Sequence, residues 1–140
     1  MNNKYKIVLN FIKDLSVEIP SPEALITSRN NISKYEIKVN ISSKPLKMKM
    51  IEVITKLTYA DPTKNKHKAF FEIGYATVID ILDSSLKKKD LEKIILCDLQ
   101  IEIYPELENK FLTVLRNSGF PNLKFGEKID FEKLYKEKLN

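Results

Sequence analysis

One histidine, one cysteine and three isolated glycines are all that this chain offers to the commonest enzyme chemistries. His67 lies among Lys64, Lys66 and Lys68 beside the turn signal Asp61-Pro62, and no serine or cysteine is placed as a nucleophile for it to activate. It reads as an exposed turn residue. Cys97 sits in the apolar run Ile94-Ile95-Leu96-Cys97. Alone, it permits no internal disulfide and no cysteine-built zinc site, and it reads as a small buried hydrophobe. Gly74, Gly119 and Gly126 are too scattered to write a phosphate-cradling loop. The carboxylates Asp14 and Glu18 share one face of a strand by their spacing, and Glu72 occupies the even face of a later strand. Such a set is either a solvated sheet face or a docking patch for a basic partner. No catalytic residue, metal ligand set or cofactor motif can be written from these residues.

The net charge of +5 raises a nucleic-acid alternative, because basic chains release counterions from phosphate backbones. The detail argues against it. Of the 24 basic residues only Arg29 and Arg116 are arginine, the type favoured for base readout and bidentate phosphate contact. The run Lys87-Lys88-Lys89 is followed at once by Asp90 and Glu92. Solvated lysines are the simpler account.

The elements that must position any site follow from periodicity. Tyr5, Ile7, Leu9, Phe11, Leu15, Val17 and Ile19 fall on odd positions, the two-residue period of a half-buried strand, with Lys13-Asp14 as a possible bulge. Pro20-Ser21-Pro22 stops that strand, and the segment through Asn30-Asn31 is expected as a long crossover or loop with Leu25 and Ile26 packed on something. Three more alternations follow, at Tyr35–Ile41, Ile51–Tyr59 and Ala69–Ile81. From Ser84 the period becomes helical through Leu86, Leu91, Ile94, Ile95 and Leu99. A second helix is expected to open at Pro105, present Leu107, Phe111, Leu112, Val114 and Leu115, and end at Ser118-Gly119. A last one starts at Asp130 and carries Phe131, Leu134, Tyr135 and Leu139.

Residues 1–140 therefore form one α+β domain, a four-stranded antiparallel meander with a long crossover after the first strand, covered on one face by C-terminal helices. No stretch approaches the roughly 20 apolar residues of a membrane span. Met1-Asn2-Asn3-Lys4 leads directly into the first strand pattern, so a cytoplasmic location is expected.

Three segments resemble one known family. Phe11-Ile12-Lys13-Asp14-Leu15-Ser16-Val17-Glu18-Ile19-Pro20 is similar to the first-strand signature of the SecB protein-export chaperones. Phe70-Phe71-Glu72-Ile73 resembles their fourth strand, and Gly119-Phe120-Pro121-Asn122-Leu123 followed by Ile129-Asp130-Phe131 and Leu134-Tyr135 resembles their C-terminal part. The resemblance implies an ATP-independent chaperone, a homotetramer built as a dimer of dimers, that holds unfolded precursor polypeptides and delivers them to the motor ATPase SecA without catalysis or cofactor. It points to Leu25, Ile26, Tyr35, Phe111 and Leu115 as client-groove residues and to Asp14, Glu18, Phe70 and Glu72 as the SecA docking patch. Ala76-Thr77 stands where the family commonly has Gly-Gly, and the chain is basic where relatives are usually acidic. A SecB-like chaperone serving one dedicated client, such as an antitoxin, is the alternative.

Overall fold

A computed structural model describes residues 3–63, 68–126 and 128–138. His67 and Leu139 lie outside the described residues. Four antiparallel strands, β1 (Tyr5–Glu18), β2 (Glu36–Pro45), β3 (Met50–Ala60) and β4 (Phe70–Ile81), form one sheet in the order β1-β4-β3-β2. The last three are the meander. The crossover after β1 carries the chain across to the far edge, so β1 pairs with β4 and both β1 and β2 are edges.

Alternation in β4 sorts its side chains by face. Phe71, Ile73, Tyr75, Thr77 and Ile79 are buried, as are Val53, Thr55 and Leu57 beside them on β3. The cover is a continuous helical run: α2 (Lys88–Lys93), a π-helical turn (Ile94–Asp98) and α3 (Leu99–Arg116). Leu99, Ile103, Leu107, Phe111 and Leu115 recur every fourth residue, so they form one stripe and join the sheet's core cluster. The helix expected to open at Pro105 is thus the middle of a longer one. Pro105 is exposed, where water can bond the carbonyl its missing N–H leaves free, and the buried residues on either side hold the helix through it. The π-helical turn is tied down by Gln100. Its Nε2 donates to the Ile95 carbonyl (3.0 Å) and its Oε1 accepts from Thr55 Oγ1 (2.9 Å), anchoring the helices to β3.

The segment read as a loop contains α1 (Pro22–Asn30) and a 3₁₀ turn (Ile32–Lys34). Ser21-Pro22-Glu23 is a helix start: Ser21 Oγ accepts from Ala24 N–H (3.0 Å), Pro22 fills a first-turn position and Glu23 faces the positive end. The same Pro-Ser-Pro that ends a strand begins a helix. α4 (Phe131–Lys138) closes the chain, with Asp130 Oδ1 accepting from Lys133 N–H (3.1 Å) and Phe131 buried edge-to-face against Tyr104.

β1 departs from its simple odd-numbered pattern. Its register against β4 shifts between Ile7 and Leu9 and again between Ile12 and Asp14, the second where Lys13-Asp14 interrupts the apolar run. Each extra residue inverts the facing of the strand beyond it. Tyr5, Ile7, Leu15 and Val17 pair with core-facing β4 residues, whereas Leu9 and Phe11 pair with Val78 and Ala76 and turn to the uncovered face.

Candidate functional site

Among the described residues no cluster of His, Cys, Asp or Glu is placed to hold a metal ion. Cys97 is buried, which pushes its thiol above the usual range. What the fold does build is a cleft of about 750 Å³, within the range of small-ligand pockets. Three segments distant in sequence enclose it. One wall is the crossover, with Arg29, Ile32 and Ser33; the base is Tyr35 and Ile37 at the start of β2 with Tyr59 at the end of β3; the other wall is Phe120 to Gly126 after α3.

Ile37 and Tyr59 are cross-strand partners, so the two strand ends present one continuous surface. The Tyr35 and Tyr59 rings lie 5.1 Å apart, Tyr59 is 5.4 Å from Phe125, and Phe120 meets Phe71 edge-to-face at 5.6 Å. The Tyr35 hydroxyl donates to the Ala69 carbonyl and shares a hydrogen bond with Ser28 Oγ (2.8 Å), which in turn accepts from Ala69 N–H (3.0 Å). That network pins the crossover to the start of β4. Burial pushes the Tyr59 phenol up to about 12, with Tyr35 adding to the shift, and burial raises Tyr35 as well. Both stay neutral across the physiological range, and the cleft presents an uncharged aromatic base.

The second wall depends on Gly119 and Arg116. Gly119 has φ +102°, and a Cβ there would stand 2.6 Å from Leu25 Cδ2, so only glycine lets the chain leave α3 while α1 packs this closely. Phe120 N–H returns to the Leu115 carbonyl (3.2 Å), and Arg116 Nε donates to the Leu123 carbonyl (3.0 Å). The segment is held in shape by contacts within the chain.

The sequence-predicted groove residues divide. Tyr35 lines the cleft. Leu25 lies behind its rim against Gly119, and Phe111 and Leu115 are fully buried, the Phe111 ring lying tilted 6.2 Å from that of Phe125 to back the wall. Side chains with no exposed area support a cleft without touching its contents. Ile26 is 59% exposed and is not among the residues that line it. Ile37, Tyr59, Phe125, Arg29 and Lys124 were missed. Ile37 lies two residues from Tyr35, so strand alternation could have found it; Arg29 and Lys124 carry no local signal.

The sheet's uncovered face gathers the other set. Glu18 pairs with Phe70, Ser16 with Glu72 and Asp14 with Gly74, which places Asp14, Glu18, Phe70 and Glu72 on one surface. The surface is not purely acidic. Glu72 accepts from Thr58 Oγ1 (3.0 Å) and lies 3.8 Å from Lys56 Nζ, and Lys13 pairs with Glu52 at 3.0 Å. Beside it, β1 exposes Val8, Leu9, Phe11, Ile12, Leu15 and Val17 along a free edge.

The family model described as preprotein translocase subunit SecB matches residues 1–140. A putative protein-export protein SecB of Pelagibacter ubique (strain HTCC1062) is 46% identical, with all of both chains covered. The protein-export protein SecB of Bradyrhizobium diazoefficiens is 24% identical over 95% of this chain and 81% of its own. Among solved structures, a Mycobacterium tuberculosis SecB-like chaperone in complex with a peptide from an antitoxin superposes with a TM-score of 0.64 at 10% identity, covering 89% of this chain and 91% of that one. That likeness is one of fold.

Proposed function

The chain belongs to the SecB family, and from that membership we propose that it is an ATP-independent holdase that binds unfolded or precursor polypeptides in the aromatic cleft and passes them to the SecA motor. The observation that carries this is the cleft: an aromatic and aliphatic surface, held rigid by Tyr35, Gly119 and Arg116, and lined among the described residues by no group placed for chemistry. Apolar burial without a specific reaction is what holding requires. In the test, purified protein suppresses aggregation of a diluted, unfolded precursor with no nucleotide present. Phe125→Asp weakens that suppression while far-ultraviolet circular dichroism stays unchanged. Failure to protect any of several precursors would overturn the proposal.

The proposed assembly is a cytoplasmic homotetramer, a dimer of dimers. It is supported by β1, a 14-residue edge strand paired on one side with β4 and carrying half-exposed apolar side chains, whose outer edge a second copy would extend. Light scattering should return four times 16.3 kDa. SecA docking is assigned to Asp14, Glu18, Phe70 and Glu72, which share the uncovered face. Asp14→Lys with Glu72→Lys should abolish SecA binding and leave the oligomer intact; surviving binding would move the docking surface elsewhere.

A chaperone dedicated to one client is the second reading, supported by the antitoxin peptide bound to the fold's solved relative. Pull-downs separate the two, since a dedicated chaperone returns one small partner and a general holdase returns many.

A further inference from the structure

The cleft's rim is charged, and with one sign. Arg29 projects from the last turn of α1 on one wall and Lys124 from the segment after α3 on the other, and among the described residues lining the cleft neither an aspartate nor a glutamate balances them. Both are exposed, so their charged heads stand in water at the cleft. The chain's other arginine, Arg116, is engaged with the Leu123 carbonyl and holds the wall in place. The base between the two cations is neutral aromatic surface from Tyr35, Tyr59 and Phe120. A polypeptide laid across it buries an apolar anchor and must run its flanking residues past a cation on either side.

Resting on the cleft as the client site, we propose that it selects polypeptide segments in which an apolar or aromatic anchor is flanked by acidic residues, and disfavours segments flanked by lysine or arginine. Charge complementarity at a rim steers encounter and discriminates partners more than it adds raw affinity. Each exposed pair contributes little alone, and two favourable pairs set against two repulsive ones amount to about tenfold in Kd at low salt. Salt screens both and narrows the gap.

The experiment measures binding by fluorescence anisotropy of three peptides with one shared apolar-aromatic core, flanked by paired glutamates, paired glutamines or paired lysines. The expected order is glutamate tightest and lysine weakest, about tenfold apart at low salt and converging at high salt. Arg29→Glu with Lys124→Glu inverts the order. Lys88→Glu with Lys89→Glu, an equal charge change on the exposed face of α2, leaves it unchanged and so separates the rim from the net charge of +5. If the glutamine peptide binds but flank charge has no effect, or the order survives reversal of the rim, the charge selection is wrong and the cleft remains the client site. If no peptide binds, or Phe125→Asp leaves all three affinities untouched, the client site lies elsewhere and the proposal falls with it. Affinity that drops as protein concentration rises would put a second copy of the chain in the cleft and overturn the proposal.

Discussion

The two faces of the sheet are made by the same strands, yet they solve different problems. On the helix-covered face of β4, Phe71, Ile73, Tyr75 and Ile79 are excluded from water, and Leu99 to Leu115 supply a matching apolar stripe. On the opposite face, Glu72 lies between Phe70 and Gly74, Lys56 of neighbouring β3 pairs with it, and Lys13 of β1 reaches across β4 to Glu52 of β3. The covered face devotes its side chains to stability. The open face pairs charges across strands, Lys56 with Glu72 and Lys13 with Glu52.

The largest effect should come from breaking the covered face. Phe111→Ala removes a fully buried ring that backs both the core and the cleft wall, and is expected to lower unfolding free energy by about 3–5 kcal/mol. Glu72→Lys on the open face loses the Thr58 hydrogen bond and the Lys56 pair and should lower it by about 1 kcal/mol. Urea denaturation of the two variants checks the pair, and comparable losses would erase the distinction between the faces.

Two buried threonines sharpen it further. Thr55 and Thr77 both lie under the helices at 0% exposure, but Thr55 Oγ1 donates to Gln100 whereas Thr77 Oγ1 has no partner among the described residues. Thr55→Val strands Gln100 and should cost about 1–3 kcal/mol; Thr77→Val removes an orphaned hydroxyl and should be neutral or stabilising. Opposite signs in thermal melts would support this account, and equal losses would refute it.

Much of this layout could be read from residue order. Period two at Tyr35–Ile41, Ile51–Tyr59 and Ala69–Ile81 marked three strands, and the register places them side by side. The helix at Pro22 was missed because Pro20-Ser21-Pro22 is at once a strand stop and a capped start, and only Ser21 accepting from Ala24 decides which. Phe111 and Leu115 were legible as a stripe, but whether a stripe is core or groove depends on what covers it.

The smallest effect concerns an ion pair in the connection between β3 and β4. Lys68 Nζ lies 2.8 Å from Asp61 Oδ2, and that bond, ahead of hydrogen bonds from Thr63, holds the Asp61 carboxyl at about 2 against its ordinary 3.8. The folded value is depressed, so the contribution is complete above pH about 4 and disappears as pH falls through about 2. Asp61→Asn should flatten stability over that window and lower it slightly at neutral pH, in acid titrations followed by tyrosine fluorescence.

Local order determined the α+β class, the alternation of β2, β3 and β4 and the helical stripe, because periods of two and of about four are carried by neighbours a few positions apart. Tertiary structure decided the rest. Two register shifts in β1 turn Leu9 and Phe11 to the open face although their numbering matches Tyr5 and Ile7. The cleft joins residues near 30, 59 and 124, and the open face pairs Lys13 with Glu52. Such meetings depend on which strand lies beside which and on how a helix crosses them, and no short-range pattern records that.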